Sequence, residues 1–456
     1  MTSIFANQAL LPDGWHRNVR VTFAAGQILS VECQKDGRLR QVDDHRVDCL
    51  LAAPANLHSH GFQRAMAGLT EARGPAGDSF WTWRDLMYRF LEFLTPDHVQ
   101  AITAFAQMEM LQSGYSACGE FHYLHHGPGG AVYDNVAEMA CRIAAAADTT
   151  GIGLTLLPVH YQFGGCDGRD LQGGQLRFGN DIDRYTSIYH QAKIAVRNLK
   201  DDSHLGVAPH SPRAVALKDF QHYRSISDGP IHMHFAEQSA EMKEIESVYG
   251  TTPANWLLDN VDLDDRWCLI HGTQLDAGDI TDLAATGLTF GLCPITEASL
   301  GDGVFDAAAL LAASGVMGVG TDSNIQIGLS DEMRMLEYSQ RLREQRRSIL
   351  ATSTQSTGRH IFDQITYGGA RALGRKSGQV APGYYADFIA LDCAHIDLTG
   401  RDGDKLIDSF IFTGGDRMVS DVWAAGRHMV TQGQHIHADR ITADYKAVLK
   451  ELMGAL

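Results

Sequence analysis

Cysteine is scarce, 8 residues in 456, and no two cysteines stand in a C-x-x-C arrangement. That excludes a cysteine zinc site or a dithiol redox motif. The cysteines sit mostly in apolar stretches such as Trp267-Cys268-Leu269-Ile270 and read as reduced and buried. Positive charge is also short: 38 Lys and Arg face 55 Asp and Glu, a net charge of -17. Nucleic acids and anionic membranes attract basic patches, so neither is an expected partner. An anionic substrate would need local arginines to overcome the repulsive global field. No apolar run is long enough to span a bilayer. Met1 to Asn7 lack a basic region followed by an apolar core, so no secretory signal is read there and a cytoplasmic location is expected. Low-complexity tracts are missing, and no G-x-G-x-x-G follows the first strand of the central region, which argues against a doubly wound open sheet.

What is present is a large apolar share, 44%, enough for a sizeable core. Both ends of the chain read as short strands and turns, for example Val19-Arg20-Val21-Thr22-Phe23, Ala386-Asp387-Phe388-Ile389 and Val422-Trp423-Ala424. The middle alternates short apolar runs with longer helical patterns. The runs are 50–57, 116–121, 153–159, 205–208, 231–234, 267–270, 288–292 and 316–320; helical patterns include 97–113, 135–149 and 331–350. Eight strand–helix units with continuously apolar strands predict a (β/α)8 TIM-like barrel over 50–376. Residues 1–49 plus 377–456 are expected to form a small composite β-sandwich.

In such a barrel, functional residues gather where strands end. The first run ends in His58-Ser59-His60, and residues two apart on a strand point to one side, so both imidazoles can reach one ion. The pattern alone is weak: with 21 histidines, H-x-H recurs at His232/His234 and His435/His437. The last pair, in the β-rich tail, reads as structural. The first pair gains weight from its company. The fifth run leads into His234-Phe235-Ala236-Glu237, the sixth into His271, and the eighth into Thr321-Asp322-Ser323.

Together these motifs resemble the deaminase branch of the amidohydrolase superfamily, over essentially the whole chain. The resemblance implies a metal held by His58, His60, His234 and Asp322. It implies a mononuclear site as well, because the fourth run ends Pro209-His210-Ser211-Pro212-Arg213, without the lysine that bridges two metals in binuclear members. The cytidine-deaminase fold is set aside, since P-C-x-x-C is missing. Imidazole and carboxylate ligands suit one Zn²⁺ per subunit best, although such sites also accept iron or manganese. Zinc lowers the pKa of water toward neutrality. Asp322 would take the water proton, Glu237 would protonate the departing nitrogen and His271 would hydrogen-bond the attacking water or developing charge. The family also implies a homodimer.

Gly61-Phe62-Gln63-Arg64, the stretch Ser79 to Phe90, Gly119 to His126 and His210 to Arg213 are similar to the deiminases that act on N-formimino-L-glutamate in histidine degradation. That substrate carries two carboxylates at one end and a cationic formimino group at the other. Arg84 and Arg213 would clamp the carboxylates in planar forks, Tyr123 and His210 would add hydrogen bonds, and Gln63 would orient the formimino end. A purine or related heterocycle deaminase is the alternative, favouring aromatic stacking over two arginines. A metal-free scaffold is a further one. The lesser reading of Arg84 is a surface helix residue packing its stem on Trp81, and Trp81 and Trp83 read as packing residues or part of a lid.

Overall fold

The computed structural model describes residues 1–33, 41–71 and 80–455, the side chains of 80–82 excepted. Ser79 and the side chain of Trp81 therefore lie outside the described residues. The chain opens with four strands, β1 (Thr2–Leu11), β2 (Gly14–Ala24), β3 (Gln27–Cys33) and β4 (His45–Ala52). The central strands are β5 (Ala55–Ser59), β6 (Ala117–His122), β7 (Gly153–His160), β8 (His204–Leu205), β9 (Ala208–Pro209), β10 (Ile231–Phe235), β11 (Trp267–His271), β12 (Thr289–Leu292) and β13 (Val316–Val319). The chain returns through β14 (Phe388–Leu391), β15 (Val419–Ala424), β16 (Arg427–Thr431) and β17 (Gln434–His435).

Strands from both ends form one eight-stranded sheet in the order β17-β16-β15-β14-β4-β1-β2-β3. Its pairings are antiparallel except β1 with β4. Alternate residues such as Ile4, Val21, Phe23, Leu50, Phe388 and Trp423 build one apolar cluster, the period-2 burial expected of strands with one face covered. The sheet bends enough for Phe23 on β2 and Phe388 on β14, with two strands between them, to meet edge-on at 5.7 Å.

The central strands are all parallel, with helices between them, an α/β arrangement. They form two sheets, β5-β6-β7-β8 with β9 beside β7, and β10-β11-β12-β13. Parallel bridges link the sheets at both edges, Ser59 with Asp322 and Val207 with Ile231. β6, β7 and β11 are buried along their whole length, which is why they read as unbroken apolar runs.

Three local expectations are corrected. The run 50–57 is two strands, because Pro54 has no N–H to continue a ladder and the chain changes sheets there. The run 205–208 is two short pairings, broken where Gly206 lies so close to Pro230 that a Cβ would sit 2.4 Å from its carbonyl oxygen. The helix expected over 331–350 spans Leu329–Glu344 and stops at Gln345, whose φ is 52°. No helix among the described residues is long and apolar enough to cross a membrane.

A buried charge cluster ties the terminal sheet to the parallel strands. Arg375 bonds Asp387 Oδ2 at 3.0 Å and Asp202 Oδ2 at 3.2 Å, and Arg427 grips Asp202 through two bonds of 2.8 Å. Removing one member leaves a buried charge unpaired, which costs about 3–5 kcal/mol. Arg375→Met should therefore lower the unfolding free energy by about that amount in urea titrations. A loss under about 1 kcal/mol would mean the cluster does not hold the two parts together.

Candidate active site

The ends of the parallel strands converge. Turning the chain out of β10 and β11 and beyond β13 takes left-handed backbone at three non-glycine residues, Ala236 (φ 50°), His271 (φ 75°) and Asp322 (φ 45°). Such conformations concentrate at functional sites. The edge where β5 meets the segment after β13 is pinned by backbone bonds, His60 N–H to Asp322 O at 2.9 Å and Asp322 N–H to His58 O at 3.0 Å. A buried side-chain network reinforces it: Asn56 donates to Thr321 Oγ1 at 2.7 Å, and Asn324 donates to Ser59 Oγ and to His60 O, each at 3.1 Å. Gly320 is required at this edge, since a Cβ there would sit 2.7–2.8 Å from His58.

These constraints hold the predicted ligands together. His60 Nε2 lies 3.0 Å and His58 Nε2 3.4 Å from Asp322 Oδ1. His234 Nε2 lies 3.2 Å from His58 Nε2. Ligand atoms around a tetrahedral ion with bonds of about 2 Å stand about 3.3 Å apart, so the spacing fits a metal. The proton positions fit as well. His60 Nδ1 is 2.9 Å from Phe121 O; only an N–H bonds a carbonyl, so Nε2 carries the lone pair. A lone pair facing a carboxylate oxygen at 3.0 Å needs a cation or a proton between them. A second grouping also exists: one ligand atom each from His58, His234, His271 and Asp322 lie within 4.8 Å of one another, so His271 stands as close to the cluster as the four residues read from the sequence.

Charge sharpens the picture. Burial pushes His58 down to about 3 and drives His234 well below the ordinary histidine range, keeping both neutral and able to ligate. His271 is different. Burial opposes its charge, but Glu237, Glu297 and Asp322 raise it to about 10. Its Nδ1 is 3.3 Å from Glu297 Oε1, and its Nε2 is 3.8 Å from Glu237 Oε1 and 3.9 Å from Asp322 Oδ2. Burial also raises the Glu237 carboxyl to about 7. The Asp322 carboxyl is driven well below its ordinary value: burial resists this, but the neighbouring imidazoles of His58 and His60 outweigh it.

An open pocket of about 580 Å³ leads to the cluster. Its walls include His60, His234, Glu237, His271 and Asp322, and also all five predicted contacts, Gln63, Arg84, Tyr123, His210 and Arg213. His58 lies beneath, fully buried. The Arg84 guanidinium lies 5.2 Å from the Tyr88 ring centroid, in the pocket wall rather than on an outer surface. Gln63 Nε2 donates to Tyr123 Oη, while Gln63 Oε1 is buried with no partner among the described residues. Arg213 makes no ion pair or hydrogen bond among them, and its guanidinium has its pKa raised. Trp83 lines the same pocket. Sequence reasoning missed Tyr161, Phe178 and Tyr88 in the walls and Glu297 behind His271. Tyr161 and Glu297 follow the ends of β7 and β12, so the strand-end rule would have found them; Phe178 sits in a long loop that gives no such signal.

This pocket, with its ligand cluster at the ends of parallel strands, is that of a metal-dependent hydrolase, and the chain belongs to the amidohydrolase family, whose model matches residues 50–429. A model of the N-terminal domain of formimidoylglutamate deiminase HutF matches residues 1–47. The chain is 41% identical, over 99% of its length and 100% of the relative's, to a formimidoylglutamate deiminase of Pseudomonas aeruginosa. The crystal structure of an amidohydrolase from Brucella melitensis is 44% identical and superposes with a TM-score of 0.95, covering 99% of this chain and 100% of that one. An adenosine deaminase from Xanthomonas campestris, solved with bound zinc, shares the fold at 22% identity and a TM-score of 0.82, over 99% and 98% of the two chains.

Three further histidines bond backbone carbonyls. His125 Nε2 meets Val159 O, His126 Nε2 meets Gly179 O and His435 Nε2 meets Thr150 O, each at 2.8 Å. Burial holds His122 at about 3 and His160 and His232 at about 4. These side chains stay neutral when folded but take up protons near 6.5 when unfolded. Stability is therefore lost as pH falls below 6.5 toward 4, by about 1–2 kcal/mol per histidine at pH 5. Urea midpoints of chelator-treated protein should fall between pH 7 and pH 5, and His160→Gln should flatten the slope. An unchanged midpoint would contradict the assignment.

Proposed function

We propose that the protein hydrolyses N-formimino-L-glutamate to N-formyl-L-glutamate and ammonia, with one zinc ion per subunit held by His58, His60, His234 and Asp322. The observation that carries this reading is Arg213, a guanidinium in the wall of the pocket that leads to the ligand cluster, with no ion pair or hydrogen bond among the described residues. A half-buried guanidinium that no carboxylate among the described residues binds directly suits a ligand that brings one. Arg84 in the same wall serves the second carboxylate. The 41% identity to a formimidoylglutamate deiminase supports the same substrate.

A bound zinc ion supplies a Lewis acid and a water whose pKa lies near neutrality. The rest of the chemistry belongs to the side chains. Arg84 and Arg213 fix the carboxylates, with Tyr123 and His210 adding hydrogen bonds. The formimino N–H groups meet the unpartnered Gln63 Oε1. Asp322 accepts the proton as water oxygen bonds to the formimino carbon. Glu237, at about 7, gives a proton to the nitrogen that leaves. The carbon–nitrogen bond breaks, ammonia departs, and the hydroxyl releases its remaining proton to solvent, so the carbon keeps oxygen as a formyl carbonyl. His271, between Asp322 and Glu237, returns the first proton to the second carboxylate and steadies developing charge.

The wider architecture belongs to this reading. We infer that the two parallel sheets close into a (β/α)8 barrel over 50–376, supported by the bridges at both edges. Residues 1–49 plus 377–456 curl into a sandwich-like domain, supported by the Phe23–Phe388 contact. A homodimer in the cytoplasm acting on a small carboxylate substrate completes it.

Zinc-loaded protein should release ammonia from N-formimino-L-glutamate far faster than from N-formimino-L-aspartate, guanine or adenosine, and Asp322→Asn should abolish release. Losing one bidentate carboxylate contact costs about 3 kcal/mol, so Arg213→Met should lower kcat/KM about 100-fold, chiefly through KM. Purine turnover insensitive to Arg213→Met would replace this reading with the heterocycle deaminase.

A further inference from the structure

The terminal sheet carries a second cluster of ligand-type side chains. His45 on β4, Asp421 on β15 and His428 on β16 bring one ligand atom each to within 4.8 Å of one another. His428 Nε2 is 2.8 Å and His45 Nε2 3.3 Å from the same oxygen, Asp421 Oδ1. The second separation is the spacing of neighbouring ligands around a tetrahedral ion. The two imidazole rings meet edge-on at 4.8 Å. We propose that His45, Asp421 and His428 form a second metal site, which takes a borderline divalent ion such as zinc, nickel or copper.

Three features support it. Trp423 stacks on the His428 ring at 4.3 Å with an interplanar angle of 13° and meets His45 edge-on at 5.2 Å. The indole therefore fixes both rings, and such orientation of ligands lowers the cost of binding. Asp421 is nearly buried, whereas His45 and His428 are 39% and 31% exposed. An ion can thus enter from solvent and keep water at its remaining positions. Two imidazoles and one carboxylate are the donor set that selects transition metals over calcium or magnesium. The cluster belongs to the sheet that gathers both chain ends, so an ion there would clamp β4 to β15 and β16, strands that only β14 joins directly.

The test is metal content. Full-length protein is stripped with chelator, dialysed against zinc and assayed for bound metal and for ammonia release. The double variant His45→Ala/His428→Ala should bind one equivalent fewer than the parent and release ammonia at the parent rate. Asp322→Asn should keep the equivalent that the double variant loses, so the outcome does not depend on the pocket. His45→Gln, a milder change at an exposed position, should weaken that equivalent at least tenfold in calorimetric titration with zinc. Equal zinc content in the parent and the double variant, or unchanged affinity in His45→Gln, would overturn the proposal.

Discussion

Everything in the pocket depends on the edge where β5 meets the turn after β13. Four hydrogen-bonding side chains, Asn56, Ser59, Thr321 and Asn324, close a buried network there, and two backbone bonds lace His58 and His60 to Asp322. Residues about 265 positions apart in sequence become neighbours at hydrogen-bond distance. A fully satisfied buried network is rigid and specifies one arrangement; a half-satisfied one would be worse than an apolar seam. Gly320 is part of the same constraint, because any side chain there would displace the backbone that carries His58.

The second constraint is charge balance. Glu237, Glu297, Asp302 and Asp322 lie around His271, in a chain already carrying -17. Burial, with Glu237 next, raises the Asp302 carboxyl to about 9, and burial raises Glu237 to about 7. The Asp322 carboxyl, bracketed by His58 and His60, is driven the other way, well below its ordinary value. The division follows from surroundings rather than residue type: one carboxylate is tuned to bind a cation, another to carry a proton near neutral pH. The positive charge that an anionic substrate needs stands at Arg84 and Arg213 in the pocket wall.

Much of this was legible in the sequence, for a physical reason. Parallel strands buried on both faces must be apolar throughout, so their polar ends stand out, and His58, His60, His234, His271 and Asp322 were visible at those ends. The parallel α/β alternation was legible on the same ground. What failed was local. The apolar run 50–57 hides a change of sheet at Pro54, because both sheets demand the same residues. Phe178 reaches the pocket from a long loop, where no periodicity marks a residue. Arg84 looked the same as a surface helix residue, since the three-dimensional position of its helix decides what it lines. The His45–Asp421–His428 group left no trace either: its members lie on three strands of the terminal sheet and join only when that sheet forms.

Backbone strain shows how the two constraints meet. Ala236, His271 and Asp322 adopt left-handed conformations that cost about 1–3 kcal/mol each. Glycine would relieve the strain at any of them, yet at His271 and Asp322 it would delete the side chain that the turn exists to aim. The strain persists because the flanking strands leave no alternative: β10, β11 and β13 are pinned in register by their neighbours, and the β5 edge holds Asp322 by its own backbone. The rigid parallel strands thus offset the cost of the turns, and the turns convert a stable frame into convergent imidazoles and carboxylates. A softer frame would let His271 and Asp322 relax away from Glu237, and the proposed proton path between the two carboxylates would be lost before the fold was.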